Sequence, residues 1–257
     1  MAKIKVCILQ TDGINCDNEL SYSFEKYGSL PEFVHINKLR DKSKKLMNYQ
    51  ILAIPGGFSY GDDVASGKIL AVELVSFLKN QLQEFIKKDG LVLGVCNGFQ
   101  ALVRAGLLPF NNLGKMDATL AQNKSGHFEC RWVKIKTENS KCVFLKEGQI
   151  AEVAVNHGEG DFFAQQKVLD KVKKGNLVVF RYVDKFLKPT MNYPENPNGS
   201  TNAIAGICDP TGKILGLMPH PEKFIQTTQH PNWRRPDFEN NQAGFIIKNM
   251  INYAKRT

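Results

Sequence analysis

The residue best suited to covalent chemistry in this chain is a cysteine that lies between two glycines. Cys96 is the centre of Gly-Val-Cys-Asn-Gly at positions 94–98. The apolar run Leu91–Leu93 precedes it, and the apolar segment Ala101–Val103 follows. This pattern predicts a strand that passes through a sharp turn into a helix, because glycine does not crowd such a turn. The same spacing around a serine forms the nucleophile elbow of hydrolases.

The predicted turn also bears on the reactivity of Cys96. The N-terminus of a helix carries a partial positive charge, which favours a thiolate over a thiol. We therefore expect the pKa of Cys96 to be lowered and Cys96 to be the most reactive of the six cysteines. A simpler interpretation is a buried cysteine beside two turn glycines.

A second group of reactive side chains, His220-Pro221-Glu222, follows the apolar strand pattern at 213–218. In an extended segment, residues two apart point the same way, and proline restricts the backbone between them. Glu222 could therefore hold one ring nitrogen of His220 while the other nitrogen faces a thiol, as in a nucleophile–base–orienter triad. The alternative is a surface turn with an incidental histidine and glutamate.

A third segment, Pro-Gly-Gly-Phe-Ser-Tyr-Gly-Asp at 55–62, is rich in glycine and follows a strand pattern at 50–54. Such a loop can present backbone N–H groups to a developing oxyanion, or it can simply form a turn. It lacks the Gly-Lys-Ser/Thr of a phosphate loop and the Gly-x-Gly-x-x-Gly of a dinucleotide site. An oxyanion hole is therefore the function that we expect of it.

The surrounding elements predict an α/β fold in one domain, residues 1–257. In the first part of the chain, strand patterns alternate with helical patterns, at 5–9, 17–27, 32–36, 50–54, 69–86 and the segment before Cys96. This alternation predicts an open, mostly parallel sheet with helices on both faces. Later segments are mostly strand patterns and predict an antiparallel extension, at 118–122, 127–136, 150–155, 177–183, 203–208 and 213–218.

The composition of the chain argues against several classes of protein. The net charge is +9, but the basic residues form only short runs, such as 42–45 and 171–174, and no aromatic residues are interleaved with them. We therefore interpret these runs as solvent-exposed surface rather than as a nucleic-acid binding site. The six cysteines form no Cys-x-x-Cys, so we expect no metal site and no disulfide framework. No signal core or membrane-length apolar run occurs, and we expect a cytoplasmic protein without a membrane partner.

Three motifs together resemble the class I (triad) glutamine amidotransferases. They are the segments 55–62, Gly-Val-Cys-Asn-Gly-Phe-Gln at 94–100 and Pro-His-Pro-Glu at 219–222, in this order. Three further stretches resemble one branch, the glutaminases of phosphoribosylformylglycinamidine synthase: Ser-Gly-His-Phe-Glu-Cys-Arg-Trp-Val at 125–133, Asn-His-Gly-Glu-Gly at 156–160 and Asn-Pro-Asn-Gly-Ser at 196–200. The resemblance spans nearly the whole chain and implies a flavodoxin-like sheet.

The resemblance implies a reaction, the hydrolysis of L-glutamine to glutamate and ammonia through a glutamyl thioester. Cys96 matches the nucleophile of the family, His220 the base and Glu222 the residue that orients the base. Gly57 and Asn97 match the two positions whose backbone N–H groups form the oxyanion hole of the family. Gln100, His157 and Gly158 match its glutamine-binding positions. We expect His157 to line the pocket or to pack in the core rather than to act in catalysis.

The resemblance also implies a partner. In this family a synthetase activates the amide of formylglycinamide ribonucleotide with ATP and magnesium, in purine biosynthesis, and nothing in this chain resembles it. The chain begins and ends where a free-standing glutaminase would. We therefore expect a cofactor-free subunit that passes ammonia to a large synthetase subunit, with a small accessory subunit as a further candidate partner.

Other functions share parts of this pattern. A peptidase or a gamma-glutamyl hydrolase could use the same cysteine, histidine and glutamate. A degenerate amidotransferase could serve as a non-catalytic subunit, although the intact triad residues argue against it. A third alternative is a nucleic-acid binding protein, for which the net charge is the only supporting feature.

Overall fold

The computed structural model describes residues 3–256 and contains a central sheet of nine strands with helices packed on it. The strands are β1 Lys5–Gln10, β2 Leu30–His35, β3 Ile51–Ile54, β4 Leu91–Val95, β5 Ala118–Gln122, β6 Glu129–Thr137, β7 Ile150–His157, β8 Glu159–Ala164, β9 Val178–Val183, β10 Ile204–Cys208 and β11 Ile214–Leu217. The α-helices are α1 Asp17–Lys26, α2 Ile36–Arg40, α3 Lys68–Ser76, α4 Lys79–Lys87, α5 Asn97–Arg104, α6 Gln166–Lys174 and α7 Phe245–Ala254.

The strand order confirms the predicted fold class. The sheet runs β2-β1-β3-β4-β11-β10-β9-β6-β7. The first five strands are parallel to one another, and their order at the start, 2-1-3-4, is that of flavodoxin-like sheets. The last four strands form the antiparallel extension. Strands β5 and β8 pair separately as a small antiparallel sheet.

Two elements differ from the sequence-based expectation. The helical pattern at 69–86 is divided into α3 and α4, which meet at Phe77 and Leu78. Helix α6 lies where mainly strands were expected; its few apolar residues have helical spacing, but charged residues dominate the segment and only Leu169 and Val172 are buried. No helix within residues 3–256 is both long enough and apolar enough to span a membrane.

The pairing of β4 with β11 brings two distant segments of the chain together. Every residue of both strands is buried, as expected for parallel strands that are covered on both faces. Val95 is the partner of Leu217 in this parallel pair, so both strands end at the same edge of the sheet. The N–H of Cys96 donates to the carbonyl of Leu217 at 2.8 Å. The segment that contains His220 therefore begins directly beside Cys96.

The turn from β4 into α5 depends on close packing at its glycines. A β-carbon at Gly98 would lie 2.1 Å from the carbonyl oxygen of Ile54, and one at Gly94 would lie 2.5 Å from Cδ1 of Leu102. Neither distance is compatible with a real side chain. The start of α5 can therefore approach β3 and β4 only because both positions lack side chains.

Gly98→Ala should destabilise the protein by at least about 1–3 kcal/mol, because the new methyl group overlaps the backbone of β3 rather than a movable side chain. Urea unfolding monitored by circular dichroism measures the loss. Gly158→Ala is the matched control, since a β-carbon there meets nothing nearer than 4.0 Å. Equal stability of the two variants would show that α5 does not require this close approach.

Candidate active site

Cys96 occupies a strained turn at the N-terminus of α5. Its backbone has φ of 50° and ψ of −106°, a conformation that non-glycine residues rarely adopt. Strain of this kind is typical of nucleophile elbows, where it directs the side chain away from the strand and the helix. The thiol is buried and donates to the carbonyl oxygen of Asn156 at 3.6 Å.

The electrostatics of Cys96 differ from the sequence-based expectation, which was wrong in sign. Burial raises the pKa of the Cys96 thiol, and the neighbouring Cys16 and Glu222 raise it further. Lys223 and the backbone N–H of Asn97 act in the opposite direction, but their effect is smaller than that of burial. The cost of desolvating a thiolate thus exceeds the stabilisation from the helix N-terminus. The resting residue is a neutral thiol.

His220 and Glu222 form a buried hydrogen-bonded pair. Nδ1 of His220 lies 2.6 Å from Oε1 of Glu222, and both side chains are about 1% exposed. The backbone N–H of His220 donates to the carbonyl of Ala154 in β7 at 2.9 Å, which anchors the segment to the extension of the sheet. The two side chains meet because a short helical turn starts at Pro221, and not through the extended backbone that was expected.

Gly56 lies against both the histidine and the cysteine. A β-carbon at Gly56 would lie 2.6 Å from Cε1 of His220 and 3.4 Å from Cβ of Cys96. The two side chains therefore flank the bare α-carbon of Gly56. Nε2 of His220 is buried and has no hydrogen-bond partner within residues 3–256. The structure thus places His220 and Glu222 in contact and Cys96 next to them, on the other side of the Gly56 α-carbon.

The loop after Gly56 holds an unusual backbone conformation. Gly57 has φ of 139°, and a β-carbon there would lie 2.6 Å from the backbone nitrogen of Asn15. On either side, Phe58 N–H donates to the carbonyl of Gly13 at 2.9 Å and Asn15 N–H donates to the carbonyl of Gly56 at 3.4 Å. The N–H of Gly57 itself has no acceptor in the part of the chain that the structure describes.

The backbone and the side chain of Asn97 have separate contacts. Its backbone N–H faces the Cys96 sulfur. Its Nδ2 donates to Oδ1 of Asp62 at 2.8 Å and to Oε1 of Gln100 at 3.0 Å, and its Oδ1 accepts from the N–H of Ser59 at 3.2 Å. These bonds connect the loop after β3 to the start of α5.

Gln100 is buried and is held at both ends by protein groups. Its Oε1 accepts from Asn97, and its Nε2 donates to the carbonyl of Glu159 at 2.5 Å. The side chain thus connects α5 to the start of β8.

An ion pair that the sequence analysis did not identify extends this network. Arg104 lies 3.0 Å from Oε2 of Glu159, and the two side chains are 11% and 21% exposed. Arg104 also donates to the carbonyl of Ser66 at 2.8 Å, and the hydroxyl of Ser66 donates to Asp62 at 2.8 Å. The only available signal was the presence of Glu159 in the Asn-His-Gly-Glu-Gly stretch, because its partner lies in a different element.

His157 is fully buried close to His220. Its Nδ1 lies 3.1 Å from Oδ1 of Asn123, and Nε2 has no partner within residues 3–256. Burial, and then the proximity of His220, lower the pKa of His157 to about 3, so the ring is neutral at physiological pH. The carbonyl of Gly158 accepts from the N–H of Asn123 at 2.9 Å. Asn123 therefore holds both residues in place.

A cavity of about 330 Å³ adjoins this network. Its size suits a small metabolite rather than a folded polypeptide. Carboxylates, amides and aromatic rings are mixed in its wall, which is lined by Phe58, Asp62, Ser66, Gln122, Asn123, Gly126, His127, Phe128, Gly158 and Glu159. Asp62 and Glu159 connect it directly to Asn97 and Gln100.

Comparisons with known proteins identify the family of this chain. The family model of the CobB/CobQ-like glutamine amidotransferase domain matches residues 3–254. The chain is 43% identical over 258 residues to the phosphoribosylformylglycinamidine synthase subunit PurQ of Dehalococcoides mccartyi, covering 100% of both chains. It is 41% identical to the subunit of the same name from Methanococcus maripaludis, covering 98% of both.

A solved structure is similar over the same length. The structure of PurLQS from Thermotoga maritima contains a chain that matches with a TM-score of 0.74 and 27% identity, covering 98% of this chain and 99% of that one. The family model, the sequence relatives and the solved structure therefore point to one group of proteins. The chain belongs to the CobB/CobQ-like glutamine amidotransferase family, together with the PurQ subunits of phosphoribosylformylglycinamidine synthase.

Proposed function

We propose that this chain is the glutaminase subunit of phosphoribosylformylglycinamidine synthase and that Cys96 forms the glutamyl thioester. The contact of His220 with Glu222 at 2.6 Å, beside a cysteine in a strained turn, is the observation that carries the assignment of the catalytic residues. The names of the relatives support the choice of glutamine as substrate over a peptide or a gamma-glutamyl compound.

The reaction begins from a neutral thiol. As sulfur attacks the side-chain amide carbon of glutamine, Nε2 of His220 accepts the thiol proton. Glu222 stabilises the resulting imidazolium through Nδ1. The imidazolium then protonates the nitrogen of the tetrahedral intermediate, the C–N bond breaks, and ammonia departs to leave the glutamyl thioester. Water attacks the thioester with His220 again as base, which releases glutamate and restores the thiol.

The tetrahedral intermediates carry a negative oxygen that needs donors. The N–H groups of Gly57 and Asn97 are the proposed pair. In support, the Asn97 N–H already faces the sulfur, and the Gly57 N–H has no acceptor within residues 3–256. One such donor typically contributes about 10²–10³ in rate, so the conformation of the Gly56–Gly57 loop can control activity.

The cavity of about 330 Å³ is the proposed binding site for the amino-acid end of glutamine. Asp62 and Glu159 in its wall are acidic and can pair with the α-amino group. Gly158 also lines the cavity, and Gln100 adjoins it through its bond to the carbonyl of Glu159. Neutral His157 packs beside Gly158. Gln100 would contact glutamine by sharing or exchanging its present bonds to Asn97 and Glu159.

The proposed partner is the large synthetase subunit, which converts formylglycinamide ribonucleotide to formylglycinamidine ribonucleotide with ATP and magnesium, in de novo purine biosynthesis in the cytoplasm. The Thermotoga maritima structure, titled PurLQS, supports such an assembly, and a small accessory subunit would be its third component. The proposed chemistry of this chain requires no cofactor. Because free hydrolysis wastes ammonia, the isolated chain should be weakly active and the loaded partner should stimulate it.

The complex with the cognate synthetase subunit tests the function. Cys96→Ala should abolish glutamine-dependent synthesis but leave ammonia-dependent synthesis intact, since only the source of nitrogen is lost. Cys130→Ala, which removes an exposed thiol, should retain both activities. Retention of glutamine-dependent synthesis by Cys96→Ala would contradict the proposal, and equal glutamate release with and without the partner would contradict the coupling.

The roles of His220 and Glu222 can be separated by kinetics. His220→Ala should lower kcat for glutamine by about 10²–10⁴, because the proton acceptor is removed. Glu222→Gln should cause a smaller loss, since the base remains but is less well oriented. Glu152→Gln is the matched control, because Glu152 lies 3.3 Å from His230 in a different histidine–glutamate pair. Full activity of Glu222→Gln would mean that another group orients His220.

A further inference from the structure

A second cysteine, which the proposed mechanism does not use, lies beside the catalytic histidine and glutamate. One ligand atom from each of Cys16, His220 and Glu222 lies within 4.8 Å of the others. All three residues are buried, with exposed fractions of 6%, 1% and 1%. The backbone N–H of Cys16 donates to the carbonyl of Gly56 at 3.2 Å, which fixes Cys16 on the loop that faces the triad.

The polar atoms of this cluster are incompletely satisfied. Nε2 of His220 and Oε2 of Glu222 are buried without a hydrogen-bond partner within residues 3–256. The thiol of Cys16 makes a weak bond to Oδ1 of its neighbour Asn15 at 3.3 Å. Unpaired buried polar atoms are costly, and a bound group that pairs with them would lower that cost.

We propose that Cys16, His220 and Glu222 form an inhibitory binding site for Zn²⁺. Sulfur, imidazole nitrogen and carboxylate oxygen are the three donor types that zinc prefers in proteins, and three protein ligands leave the fourth tetrahedral position for water. The metal would bind the Cys16 sulfur as a thiolate and release its proton to solvent. Zinc–ligand distances of about 2.0–2.3 Å require the three donors to rearrange around the metal, which includes opening the contact between His220 and Glu222.

The site differs from simple capture of zinc by the nucleophile. Among the described residues, Cys96 is not a member of the cluster whose ligand atoms meet within 4.8 Å. Zinc would engage the base and its orienting carboxylate and leave the nucleophile without a proton acceptor. The inhibitory consequence rests on the proposed function, whereas the binding of metal does not. Sequence spacing gave no sign of the site, since Cys16 is distant from His220 in the chain.

The test uses Co²⁺ as a spectroscopic substitute for Zn²⁺ on the full chain. Wild-type protein should develop thiolate-to-cobalt charge-transfer absorption at one equivalent, and Zn²⁺ should displace the cobalt. Cys16→Ser should lose this absorption and bind Zn²⁺ at least about tenfold more weakly. Cys96→Ser and Cys130→Ser should retain both properties. Glutaminase activity of the wild type should fall with Zn²⁺ and recover with a chelator.

Two results would overturn the proposal: charge-transfer absorption that survives in Cys16→Ser, or absorption that disappears in Cys96→Ser. X-ray absorption at the zinc edge of the wild type needs no variant and covers the case in which Cys16→Ser does not fold. A zinc coordination shell with one sulfur atom and one imidazole would support the site, and a coordination shell without sulfur would refute it. Metal binding without inhibition would refute the inhibitory role and would count against His220 as the base.

Discussion

The close approach of helix α5 to the sheet is the constraint on which the rest of this structure depends. At Gly98 the helix backbone comes so near the carbonyl of Ile54 that no side chain fits between them. To enter the helix at this distance, the chain must turn sharply at Cys96, which accordingly holds a φ of 50°. The strain is compensated by the burial of β4 and α5, and it places the thiol where the loops after β3 and β11 converge.

In the proposed site, the candidate nucleophile Cys96 lies in an environment that favours its protonated form. Burial raises the pKa of Cys96, while His220, paired with Glu222, is the proposed proton acceptor in the same buried environment. A buried thiolate forms most easily when an imidazolium and backbone N–H donors stabilise its negative charge as it develops. In the proposed mechanism, this arrangement would couple the charge on sulfur to the presence of a substrate and so limit side reactions of the resting thiol.

The sequence predicted those features that local patterns encode, and it missed those that depend on distant contacts. Cys96, His220 and Glu222 could be chosen as candidate site residues because each lies in a short motif at the end of a strand. The ion pair of Arg104 with Glu159 and the proximity of Cys16 to Glu222 arise only when separate elements meet. The pKa of Cys96 was predicted with the wrong sign because the sequence reveals a helix N-terminus but not the extent of burial around it. Helix α6 was missed because charged residues dominate its segment, and the run at 171–174 was interpreted only as a solvated face.

Covalent labelling with an electrophilic analogue of glutamine tests the central claim, that the strained turn and the adjacent histidine make Cys96 the nucleophile. Peptide mapping by mass spectrometry should find one adduct per chain, on Cys96. His220→Ala should slow its formation, because the thiol then lacks an acceptor for its proton. Labelling of Cys16 or Cys130 in place of Cys96, or an undiminished rate in His220→Ala, would contradict the account.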